Sequence, residues 1–139
     1  MHPDLDSSIV RSFLEQPLLA KLVTLNKDGS PQITFMWYEF DSSGVFLFST
    51  TKQRLKAKNL TRDSRISVAI DDPQNMWRGV IARGIATIDE SDAIDLVGRL
   101  TSRYSGRDKV EASKKRAAGE DRIVISMTPL RVMLRGLEK

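Results

Sequence analysis

The chain has 139 residues, 40% of them hydrophobic and 29% charged, enough for one domain spanning 1–139 with a real core. There is no cysteine and His2 is the only histidine, which excludes disulfides, thiolate chemistry, a His-based triad and most structural zinc sites. The 22 basic and 18 acidic side chains leave a mild net charge of +4, so where the bases cluster matters more than their sum.

Leu5 to Gln16 predicts a short helix, capped by Asp6 or Ser7, with Ile9, Val10, Phe13 and Leu14 on one face and Pro17 as its stop. Leu18–Leu25 predicts a strand, and Asn26 to Ser30 a hairpin turn in which Gly29 supplies the positive φ. Gln32–Phe40 alternates, with Ile33, Phe35 and Trp37 on one side and Thr34, Met36 and Tyr38 on the other. Bulk on both sides predicts a strand covered on both faces. Asp41 to Gly44 is a second tight turn, and Val45–Thr50 a third strand.

Lys52–Leu60 turns helical, with Leu55 facing inward. Arg65–Ile70 is a strand, Asp71 to Asn75 a loop, and Met76–Ile88 a long strand whose Gly79 and Gly84 mark bends that curl a sheet. Ser91 caps a helix from Asp92 to Tyr104, with Ile94, Val97, Leu100 and Tyr104 inward. Ser105–Gly119 is polar, either a loop or an exposed helix. Ile123–Met127 is a strand that Pro129 breaks, and Leu130–Leu134 is one more short strand. The result is mainly β: a small six-stranded antiparallel barrel with flanking helices. No apolar run approaches the ~20 residues of a membrane span, and the acidic N-terminus is no secretory signal. A cytoplasmic domain is the expectation. No glycine-rich loop follows a strand, so dinucleotide and P-loop fingerprints are absent.

A protein without Cys or an internal His borrows a cofactor for its chemistry or only binds. The most selective signal is Ser49 to Leu60, where a strand ends in hydroxyl residues and a basic helix carries Lys52, Arg54, Lys56 and Lys58 with no acid. Hydroxyls and free N–H groups at such a junction suit an anion, to which Arg54 offers a fork and Lys56 a point charge. The plain alternative is a solvated basic helix. Elsewhere, Trp37 and Tyr38 suit barrel or interface packing, and Met36 suits the core. A nucleic-acid-binding barrel would place bases beside exposed aromatics; here the bases lie on helical segments away from Phe35–Tyr38.

In order, the chain shows Leu25 to Gln32 as a first hairpin, Trp37 to Asp41, Ser49-Thr50, Arg54 to Leu60, Arg62 to Val68, and Gly84 to Ile88. This ordered set resembles the flavin-binding split-barrel family built on the pyridoxamine 5′-phosphate oxidase fold, and within it the small deazaflavin (F420)-dependent oxidoreductases. The resemblance covers about Phe13 to Leu134. It implies that Arg54 and Lys56 hold a cofactor phosphate, with Thr50 and Thr51 beside it and Asn59 supporting the turn. It implies that Thr34 and Met36 lie against the ring, and that Trp77 and Arg78 reach the site from a partner chain in a homodimer. F420 is the expected cofactor and FMN the alternative, with hydride transfer to a small conjugated acceptor such as an enone, quinone or tetrapyrrole-like molecule. Tyr38 or a water would supply the proton. The C-terminal portion that pyridoxamine phosphate oxidation would need is missing from the pattern. A cofactor carrier with no turnover would use the same binding residues. No nucleic acid or membrane partner is implied.

Overall fold

The first helix takes its start from one side chain. In the computed structural model, which describes residues 1–138, the Ser7 hydroxyl accepts the Val10 N–H at 3.2 Å and opens α1 (Ser8–Leu14). Val10, Phe13 and Leu14 are buried at i, i+3, i+4 spacing, while Ile9, one position round the helix, is exposed. The residues before Asp6 form a separate 3-10 turn, Pro3–Leu5. β1 (Ala20–Leu25) and β2 (Pro31–Met36) pair antiparallel across the Asn26–Ser30 turn. Gly29 has φ +85° there, and Asp28 accepts the Ser30 N–H at 3.0 Å.

The predicted second strand divides. Its first half is β2, and its second is β3 (Glu39–Phe40), which pairs with β4 (Phe46–Thr51) instead. α2 (Leu55–Arg62), β5 (Arg65–Asp72), β6 (Asn75–Asp89), α3 (Ala93–Tyr104), α4 (Val110–Ala117) and β7 (Arg122–Arg135) follow. The sheet order is β2-β1-β5-β6-β7-β4-β3, antiparallel throughout. Its two edge strands, β2 and β3, are consecutive in the chain, joined only by Trp37 and Tyr38. The sheet therefore curls on itself with one continuous stretch of backbone as its seam. Seven strands are counted by pairing and six by continuity, and the architecture is a split barrel.

The curl has a visible device. At Gly84 the β6–β7 register shifts, and a Cβ there would stand 1.9 Å from the Thr128 carbonyl oxygen. Pro129 sits opposite Gly84 and does not end the strand as expected, and β7 continues to Arg135. A bulge is where a strand tolerates a residue with no N–H to give. The expected Asp71–Asn75 loop contracts to the turn at Pro73 and Gln74.

Phe46, Phe48, Ile70, Ile123 and Ile125 lie in the main core, and a smaller cluster packs Leu96 and Leu100 of α3 on Val124. The inward face of α3 is thus Ala93, Leu96 and Leu100, with Ile94, Val97 and Tyr104 half-buried. Ser91 does not cap it. Asp92 holds the cap position without a capping bond, and Ser91 is held by Asp89 at 2.9 Å. The Ser105–Gly119 segment resolves as a 3-10 turn and α4. Among the described residues, no helix is long and apolar enough to cross a membrane.

Candidate functional site

β4 delivers Thr50, buried, and Thr51, half-buried, to the approach of α2. Arg54 is the N-cap residue and makes no capping bond through its side chain. Its carbonyl accepts the Ala57 and Lys58 N–H groups at 3.1 and 3.2 Å. The N–H groups of Leu55 and Lys56 find no acceptor among the described residues and remain as the open donors of the helix start. Lys56 is only 9% exposed. Among the described residues its ammonium has neither a hydrogen bond nor an ion pair, and burial, followed by the neighbouring Arg54 charge, holds its pKa below the ordinary lysine value.

Leu55, expected inward, is 49% exposed. The buried face of α2 is Lys56, Ala57, Asn59 and Leu60, so the aliphatic stem of Lys56 does the packing expected of Leu55. Asn59 is fully buried. Its amide donates to Thr24 Oγ1 at 3.1 Å and to Asn26 Oδ1 at 3.0 Å, and its oxygen accepts from Arg62 at 3.2 Å. Asn59 thereby ties α2 to the β1–β2 hairpin. Lys52 pairs with Glu90 and is not free.

Gln32 Oε1 accepts from Thr24 at 3.2 Å, and Thr34 and Met36 follow Gln32 on the same half-buried face of β2. The opposite face is bare in the single chain, contrary to a strand covered on both sides. Phe35 is 69% exposed. The ladder places Phe35 beside Lys21, Ala69, Ile81 and Met133 in one row across five strands.

Trp77 lies on β6 and is exposed, with Arg135 over its ring at 5.3 Å. Arg78 pairs with Asp72 at 3.6 Å. Trp77 is far from α2. The α2 end of β6 is marked by Ile88, which shares a surface pocket with Ala57 and Thr61. At the strand rise, the stretch from Trp77 to Ile88 covers roughly 35 Å. The chain therefore gathers Thr50, Thr51, Arg54, Lys56 and Asn59 at one end of the sheet and leaves Trp77 and Arg78 at the other.

Beside the seam opens a cleft of about 450 Å³. Phe35, Met36 and Trp37 form one side, Val97, Leu100 and Thr101 of α3 another, and Ser113 and Arg116 of α4 close it. Trp37 stacks on Tyr104 with ring centroids 4.8 Å apart and planes parallel. Lys109 and Arg122 complete its basic lining.

The family described as "Pyridoxamine 5'-phosphate oxidase" matches residues 9–135. The chain belongs to that family. It is similar to a solved structure titled "F420 Reductase", at 30% identity and TM-score 0.75, over 88% of this chain and 94% of that one. A conserved hypothetical protein from Mycobacterium tuberculosis is 25% identical with TM-score 0.79, over 94% of this chain and 84% of that one. The heme storage protein HutZ from Vibrio cholerae shares the fold at 13% identity and TM-score 0.71, over 92% of this chain and 93% of that one.

Two features of this pyridoxamine 5′-phosphate oxidase family member depart from the sequence reading. The bases are not kept away from the aromatics, because the α3–α4 hairpin carries Arg116 to the cleft that Phe35 and Trp37 line. The readable sign was Gly98 in mid-helix, where a Cβ would meet the Lys114 side chain at 3.0 Å. Tyr38 is no proton source. It is fully buried, its hydroxyl lies 2.9 Å from the Leu14 carbonyl and 3.1 Å from that of Gln16, and burial pushes its pKa well above the ordinary tyrosine value.

Proposed function

We propose that this chain is an F420-dependent oxidoreductase that passes a hydride to a small conjugated acceptor. Membership in an oxidase family, with an F420 reductase at 30% identity, supports a flavin- or deazaflavin-dependent oxidoreductase. The observation that carries the site is Lys56, buried without a partner beside the open N–H groups of α2. The stem of Lys56 is buried, its ammonium is open to solvent beside those N–H groups, and a phosphate at the helix start would pair with both. The residues present fit a phosphate-bearing cofactor.

In this reading Arg54 and Lys56 hold the phosphate, Thr50 and Thr51 line its approach, and Asn59 keeps α2 in register with the hairpin. Thr34 and Met36 form the wall against which the ring rests. When bound, a reduced deazaflavin supplies a hydride. The row from Phe35 to Met133, exposed at Phe35, Ile81 and Met133, is the face for a second copy of the chain. Pairing through it would bring the partner's Trp77 and the partner's Arg78 to the site and exclude water from the ring. Tyr38 being locked, the proton comes from water.

Equilibrium binding of F420 and of FMN to the purified chain, side by side by fluorescence quenching, tests the reading. Tighter binding of F420 is expected. Tighter binding of FMN reassigns the chain as a flavoprotein, and binding of neither removes the proposal.

A further inference from the structure

The cleft beside the seam has features that cofactor binding through α2 does not use. Of the expected cofactor residues only Met36 lines it. Thr101 is 5% and Ser113 8% exposed, yet neither hydroxyl has a hydrogen-bond partner among the described residues, and both line the cleft. Thr61, by comparison, donates its hydroxyl to the Ala57 carbonyl one turn back at 3.0 Å. Arg103 Nε is the one buried side-chain nitrogen or oxygen without a partner among the described residues, so the Thr101 and Ser113 hydroxyls are open to the cleft and are met there by water or ligand. The charges point the same way. Lys109 and Arg116 are exposed and carry no ion pair among the described residues. Arg122 holds Glu120 at 3.1 Å and lies 3.4 Å from the Ser49 hydroxyl. Glu120 is the one acid in the lining, against three bases. The opposite side is apolar, formed by Phe35, Met36 and Trp37.

We infer that this cleft is an acceptor site selective for a flat conjugated carbonyl compound that carries a carboxylate. The body lies along Phe35, Met36 and Trp37, Thr101 and Ser113 hydrogen-bond its carbonyl, and the carboxylate faces Lys109 and Arg116. The inference deepens the proposed function and rests on it for the reaction. There, hydride from the reduced deazaflavin adds to one carbon of the double bond and a proton from water adds to its neighbour, giving the saturated carboxylate. Met36, shared by both sites, sets the acceptor next to the ring.

The test is calorimetric titration of the cofactor-free protein with 3-benzoylacrylate, an enone bearing a carboxylate, and with its neutral amide. The acid should bind at least about tenfold more tightly than the amide, since a charge-assisted contact is roughly twice as strong as a neutral one. Lys109→Gln with Arg116→Gln, both exposed and unpaired, should bring the two ligands to parity. Arg54→Gln with Lys56→Gln should leave the preference intact. Equal affinities in the unaltered protein, no binding of either, or a preference lost only in the Arg54/Lys56 pair would overturn the inference. The last outcome would seat the acid on the α2 start. Failure of the cofactor reading shows separately, as absent binding of F420 and FMN, and leaves these titrations interpretable.

Discussion

Arg103 and Lys56 are two cations drawn into the body of the protein, and they are treated in opposite ways. The Arg103 guanidinium donates to the carbonyls of Leu14, Glu15 and Gln16 at 2.9, 2.9 and 2.6 Å. It also lies 5.0 Å from the Tyr38 ring and 5.5 Å from the Tyr104 ring. Its Nε alone is buried without a partner. These bonds satisfy the end of α1, the place where a helix leaves carbonyls open, and pin it to the seam. Lys56 sits at a helix start, where the open groups are N–H donors and a cation has nothing to bond. The lesson is that burial alone does not mark function. A cation bonded to the carbonyls around it builds the fold; one that makes no bond to the protein is the candidate for binding.

Replacing Arg54 and Lys56 together by alanine should weaken cofactor binding by several kcal/mol, at about 1.5–3 kcal/mol for each charged hydrogen bond. Fluorescence titration of the folded double variant checks this, and an unchanged affinity ends the phosphate assignment. On the structural side, Arg103→Met should destabilise the protein by about 3 kcal/mol, since it strands three carbonyls behind two tyrosines. Urea denaturation reads the loss, and binding by the surviving folded fraction should be unaltered. The smallest effect sharpens the contrast. The folded-state pKa of Lys56 lies below its unfolded value, so holding its charge costs stability at neutral pH. That cost is relieved as pH rises from the lowered pKa towards the unfolded value near 10.5. Denaturation of wild type and Lys56→Met across pH 7 to 11 should show the wild type gaining on the variant in that window; a flat difference would mean that the ammonium is already compensated.

Much of the fold was legible in the sequence because it rests on local pattern. Alternation in Gln32–Phe40, the Asp28-Gly29 turn and the glycine at 84 each act over a few residues. What was not legible depended on partners far along the chain. Leu55 was expected inward and Lys56 is the buried residue instead, since the choice is made by packing against β1 and β6. Pro129 reads as a breaker until Gly84, 45 positions earlier, is seen opposite it. The α2 junction was readable because a strand end, a helix start and an uncompensated basic run are contiguous. The cleft was not, because Trp37 and Arg116 meet only after α3 and α4 fold back together.

The place of β7 in the sheet has a consequence for how the molecule is made. This strand, last in sequence, is central in space, with β2-β1-β5-β6 on one side and β4-β3 on the other. Until it arrives, the nascent chain holds two partial sheets with facing unpaired edges and the long-range ladder from Phe46 to Met127 unmade. During synthesis, then, the barrel is an all-or-nothing event that waits for β7, and the interval before it is when the chain is most exposed to aggregation.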